Sequence, residues 1–234
     1  MTTEAYRTRP ATEREKFDAI AELLHEAVGF RVRSKGSSVL MKIIAIFLYP
    51  FCPKFMTQFT TTIVRTVYFP DGYVEEQPGD AARTLAHEGQ HLIDGEGNQP
   101  WFSISYLFPQ CLALLALGAV GAIWWTPMLW CLLALGFLAP WPAPWRVHWE
   151  RRGYLVTMIC DAARGGQWDI EADWYQKYMA GHYSWPYYRM VWRLSKAREF
   201  CLADARLAKS ILAGVGGSTY QRAIVAIVRD TAAT

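Results

Sequence analysis

Apolar positions recur at helical spacing through residues 12–28, where Phe17, Ile20, Leu23, Leu24 and Val28 fall on one face. That pattern predicts an amphipathic helix. The next apolar run, residues 39–51, is interrupted by Lys42 and closed by Pro50 and Pro53, too short and too punctuated to predict a membrane span. Over residues 60–69 β-branched and aromatic side chains dominate, and Pro70-Asp71-Gly72 follows, so a strand and then a turn are expected. Pro78-Gly79-Asp80 breaks the chain and supplies an N-cap for a helix over about residues 81–93, with Gly95 and Gly97 as its end. Beyond Pro144 helices are expected over 145–163, 169–179, 186–212 and 218–228, the first ended by Gly165-Gly166. The chain contains no internal repeat or low-complexity linker. It reads as one α+β domain over residues 1–234, mostly helical with a short sheet.

Between Glu96 and Arg146 there is no charged residue. Thr126-Pro127 divides this stretch into two legs. The first, 105–125, contains CLALLALGAVGAIWW, and the second, 128–140, stops at Pro140-Trp141-Pro142. A membrane span needs roughly 20 apolar residues. The first leg meets that length and the second falls short at about 13. Residues 101–145 are therefore expected to form an apolar helical hairpin inserted in the domain. Residues 105–140 would face membrane lipid or other subunits, although burial inside the protein produces the same pattern.

Composition adds to this picture only in part. Hydrophobic residues make up 52% and charged residues 19%, which is apolar for a soluble chain. The 11 Trp and 12 Tyr suit a membrane interface as well as an aromatic core. A net charge of +3 gives no footing for nucleic acid, and no phosphate-binding loop or dinucleotide fingerprint occurs. The five cysteines, Cys52, Cys111, Cys131, Cys160 and Cys201, include no C-x-x-C pair, so free thiols in a reducing compartment are expected. The polar first 15 residues lack the apolar core of a signal peptide, so synthesis in the cytoplasm without cleavage is expected.

One short run carries chemistry. LAHEGQHLID contains His87-Glu88-Gly89-Gln90-His91, an H-E-x-x-H pattern. Chance places it in a chain of this composition about 0.005 times. On a helix, positions i and i+4 share a face, so both imidazoles can reach one metal at about 2.0–2.1 Å. Glu88 projects from the adjacent face, where a carboxylate can take a proton from water that the metal activates. A catalytic zinc site needs a third protein ligand and an open fourth position. The metzincin extension would require Gly at 94 and His at 97, but these are Asp94 and Gly97, so that class is excluded. Asp94 remains as a ligand or as a support for His87 or His91. In WRVHWERRGY, beyond the hairpin, Glu150 and His148 are further candidates. Tyr154 lies one turn after Glu150 on the same face, and His148 faces elsewhere.

HEGQH followed by a glutamate on a later helix resembles the gluzincin group of zinc metallopeptidases, which have a His, His, Glu ligand set. The likeness covers residues 60–164 in order: strand, active-site helix, insertion, glutamate helix. It also extends loosely to small H-E-x-x-H proteins encoded by bacteriophages. The resemblance implies a zincin-like domain, zinc held by His87, His91 and Glu150, and peptide-bond hydrolysis with Glu88 as general base. It implies a peptide or protein substrate laid along the strand at 60–69. The charge-free hairpin between the two ligand helices departs from the family pattern.

Two antiparallel legs return the chain to the side it left, so the hairpin would leave His91 and Glu150 close together. Arg146, Arg151 and Arg152 follow it and Arg83 precedes it; the positive-inside tendency puts the zinc site on the cytoplasmic side of a membrane. Tyr154, His182 and Tyr183 are candidate donors to a developing oxyanion, or ordinary packed or surface aromatics. The cations Arg189, Arg193, Lys196, Arg198, Arg206 and Lys209 fit a solvated helix face or anionic headgroups. His25 gains no role. The rival expectation is a structural or membrane-inserting protein, a virion component among the options, that keeps a non-catalytic zinc. Glu88 separates the two, because a structural site has no use for that carboxylate.

Overall fold

A computed structural model describes residues 12–49, 52–138, 143–165, 168–184, 190–191 and 193–229. The expected features at the N-terminal tail, Pro50, Phe51, Pro140-Trp141-Pro142, Gly166, Pro186 and Arg189 lie outside the described residues. The fold is mostly helical with one small three-stranded sheet.

Helix α1, Glu13–Val28, starts at a capping box: Thr12 accepts from the Glu15 N–H, and the Glu15 side chain accepts from the Thr12 N–H. It stops at Gly29, whose left-handed backbone (φ 65°) glycine adopts without steric cost. Phe17, Ile20, Leu23, Leu24 and Val28 are buried, as their spacing predicts.

The expected strand over 60–69 is a hairpin. β2, Thr61–Ile63, pairs antiparallel with β3, Thr66–Phe69, around Val64 and Arg65. Val64 has φ 54°, uncommon for a β-branched residue, and no Gly, Asn or Pro marks the turn in the sequence. β1, Arg31–Ser34, joins parallel to β3 and gives the order β1-β3-β2.

Alternation divides the sheet into two faces. Val32, Val67 and Phe69 join the main core beside α1. Tyr68 and Ile63 face the other way, against a small cluster built on Met41 and Phe55. That second layer comprises α2, Val39–Leu48, and the short α3, Phe55–Gln58. After β3 comes a one-turn helix α4, Tyr73–Glu76.

Helix α5 spans Pro78–Asn98, starting earlier and ending later than the glycine pattern predicts. Pro78 occupies the first turn, where its missing N–H costs nothing. Gly95 and Gly97 do not end the helix. Gly95 instead lets Gln99 and Phe102 approach, since a Cβ there would stand 3.3 and 3.4 Å from their side chains. α6, Trp101–Leu107, turns off after Pro100.

Two 3-10 segments, Gln110–Ile123 and Thr126–Leu138, then pack on each other as the two legs of the hairpin. No single helix among the described residues is long and apolar enough to cross a membrane. α6 and the first leg pass that test only as a pair bent by 88°. The hairpin nevertheless exposes Leu114, Leu117, Ile123, Trp124, Trp130 and Leu133.

α7, Pro144–Arg164, returns through the core against α5, and Gly165 caps it. α8, Asp173–His182, α9, Leu194–Leu212, and α10, Thr219–Val228, complete the main core. Two cations of the basic face of α9 are paired, Arg198 with Asp173 and Lys209 with Glu171, and Lys196 lies over the Phe200 ring. All five cysteines are free.

Candidate metal centre

The site forms where α5 crosses α7. His87 and His91 sit one turn apart on α5, and Glu150 reaches them from α7. The two Nε2 atoms are 3.1 Å apart. Glu150 Oε2 lies 3.4 Å from His87 Nε2 and 3.7 Å from His91 Nε2. Ligands at about 2.0–2.1 Å around a tetrahedral ion stand roughly 3.3–3.4 Å from one another. The three donor atoms thus have the spacing of one face of such a tetrahedron, and the group can hold a metal ion.

The surroundings turn two of the three donors toward that point, while the buried His91 Nδ1 has no hydrogen-bond partner. His87 Nδ1 is 3.1 Å from the Thr157 hydroxyl, two turns beyond Glu150 on α7, which leaves Nε2 for the ion. The Tyr106 hydroxyl donates to Glu150 Oε1, leaving Oε2 on the imidazole side. Burial disfavours charge on both Glu150 and His91, yet their mutual attraction prevails. The imidazoles hold Glu150 well below the usual carboxylate range, and Glu150 keeps the His91 pKa raised. An anionic carboxylate is the form a cation needs.

Glycine permits this closeness twice. A Cβ on Gly153 would stand 2.7 Å from His87 Cε1 and 2.9 Å from Nε2, so α7 lies directly over the ring. On the opposite side of α5, a Cβ on Gly89 would overlap the Tyr220 hydroxyl and stand 2.8 Å from the Leu24 methyls. Tyr220 uses that hydroxyl to bond the Ala86 carbonyl at 2.9 Å, so α10 fixes α5 from behind. Gly153→Ala should therefore displace His87, cost about 1–3 kcal/mol of stability and weaken metal binding. Thermal unfolding and a zinc titration test this; two unchanged values would show that α7 can move away without loss.

Glu88 is no ligand in this geometry. Its Oε2 accepts from the Thr62 hydroxyl at 2.7 Å. Thr62 pairs with Val67 and so points to the core face of the sheet, which brings β2 to the rim of the site. Tyr154 packs its ring 4.8 Å from His87, and His182 lies 5.5 Å from Tyr154. Burial pushes the His182 imidazole down. Tyr183 is fully buried behind Tyr154.

The other ligand candidates are placed elsewhere. His148 is exposed and packs against Trp149. Asp94 makes a two-pronged pair with Arg152, both bonds 2.7 Å, and accepts from Gln90 at 2.9 Å; it supports neither histidine by a hydrogen bond. Arg151 likewise pairs with Asp204, and Arg146 donates to the Tyr106 carbonyl. These arginines are committed to internal contacts, so their sequence position is a poor guide to membrane orientation. Tyr106, Thr157, Gly153 and Thr62 were not singled out in the sequence. Gly153 and Thr157 follow Glu150 at i+3 and i+7, a spacing that could have found them. No protein-family model, curated protein or solved structure matches the chain.

Proposed function

We propose that this chain is a zinc-dependent metalloendopeptidase with a zincin-like fold and a gluzincin ligand set: His87, His91 and Glu150. The observation that carries the reading is the donor triangle with a second, non-ligating carboxylate beside it, Glu88 held by Thr62. Three protein ligands leave a coordination position open, as catalytic zinc requires and structural zinc does not. Zinc held there supplies Lewis-acid chemistry, polarising a carbonyl and making water nucleophilic near neutral pH. Glu88 accepts the proton from the attacking water and passes it to the leaving amine. Thr62 orients Glu88 through its hydroxyl. Tyr154, whose ring packs on His87, and His182 beyond it are assigned to the developing oxyanion. β2 is an edge strand, and an extended peptide can add to such an edge by main-chain hydrogen bonds.

The exposed apolar legs support association with a membrane or with other subunits through residues 105–140. A membrane-associated enzyme is the proposal, and a virion component is the second reading. Elemental analysis should give about one zinc per chain, removed by a strong chelator together with cleavage of a broad peptide library. A zinc-loaded protein inert on that library would leave the non-catalytic reading, and a protein that binds no zinc would end both.

A further inference from the structure

Helix α2 is apolar at every position but Lys42, which for so exposed an element needs an explanation. Met41, Ile44, Ala45 and Leu48 form the stripe that packs on the sheet. The opposite stripe is also apolar: Val39, Leu40, Ile43, Ile46 and Phe47 are exposed, Ile46 at 73% and Phe47 at 76%. Lys42 and Tyr49 stand together along one margin of that outer stripe, where a cation and a phenol would meet headgroups.

The charge around the helix is one-sided. Between Glu26 and Asp71 the chain has no acidic residue, yet it carries Arg31, Arg33, Lys35, Lys42, Lys54 and Arg65. Lys35 is buried and donates to the Phe55 carbonyl at 2.7 Å, and Arg65 pairs with Glu96, so neither adds free surface charge. The other four are exposed, and none has an ion-pair partner among the described residues. In register, Arg31 pairs with Thr66 and Arg33 with Tyr68, so both stand on the Tyr68 face of the sheet, the face that α2 covers. Asp71, the next acid along the chain, accepts from the Ser34 hydroxyl and the Gly36 N–H and attracts Lys42 more weakly. An exposed apolar stripe on a segment that carries four exposed cations without ion-pair partners complements an anionic lipid surface.

We propose that α2 lies in the interfacial plane of an anionic bilayer, its outer stripe among the acyl chains and Arg31, Arg33, Lys42 and Lys54 on the headgroups. The proposal depends neither on the zinc reading nor on the hairpin, which would bind neutral lipid equally well. Its test is flotation of the full chain with phosphatidylcholine vesicles, with and without about one-third phosphatidylglycerol. Each basic side chain near such a surface is worth about fivefold in partitioning. Phosphatidylglycerol should therefore raise binding well over tenfold. Arg31→Glu with Arg33→Glu should remove at least about 25-fold of that binding, and Ile43→Glu with Phe47→Glu should abolish the gain. All four positions are exposed, so the variants should retain the wild-type circular dichroism, and binding to phosphatidylcholine alone should stay unchanged. No gain with phosphatidylglycerol, or a gain that survives both double variants, overturns the proposal. So does a wild type that sediments as a dimer while Ile43→Glu/Phe47→Glu sediments as a monomer, since the stripe would then join two copies.

Discussion

Glu150→Gln should lower zinc affinity more than about 100-fold and leave the fold intact. Loss of a partner that merely orients a ligand costs about 10–100-fold, so loss of a ligand should exceed that. Glutamine keeps the length of the side chain and can still accept the Tyr106 hydroxyl bond, but it brings no charge to the ion. Glu150 is buried, and its carboxylate is the anionic member of the triad. Competition against a chromogenic chelator measures the change. His148→Ala is the control and should bind zinc like the parent, because that imidazole is exposed on another face of α7. If the two variants exchanged behaviour, the ligand set would be wrong and with it the gluzincin reading.

The sequence makes legible what depends on short-range periodicity. α1 is announced by its apolar spacing. His87 and His91 form a pair on any helix, and the structure makes that segment a helix. What depends on contacts between distant elements is not legible. β1 is four residues long and becomes a strand by pairing with β3, and nothing local to Arg31–Ser34 requires that partner. The hairpin at Val64 and Arg65 uses residues that carry no turn signal, so the two strands read as one.

Gly95 and Gly97 look like a helix end because glycine commonly takes the left-handed cap conformation. Here their backbones stay helical, and at Gly95 the missing Cβ lets Phe102 approach. Tyr106 sits in the charge-free stretch that composition assigns to the apolar hairpin, yet α6 folds back and brings its hydroxyl to Glu150. Composition cannot show that the first turns of an apolar segment belong to a polar site.

Glu88→Gln carries the largest expected effect on rate. The substitution keeps side-chain size and helix propensity, and the amide oxygen can still accept the Thr62 hydroxyl. Glu88 contributes no atom to the donor triangle, so zinc content should match the parent. The amide cannot take a proton near neutral pH. Loss of a general base typically costs about 10²–10⁴-fold in rate, which should appear in kcat more than in KM, because the proposed peptide contacts along β2 do not involve Glu88. The expected variant is folded, zinc-loaded and nearly inactive on every peptide the parent cleaves. Thr62→Val gives a graded counterpart: it removes only the hydroxyl that orients the carboxylate, so it should cost less than Glu88→Gln. Full activity in Glu88→Gln would put the base on another residue, with His182, across the Tyr154 ring from His87, the first to test.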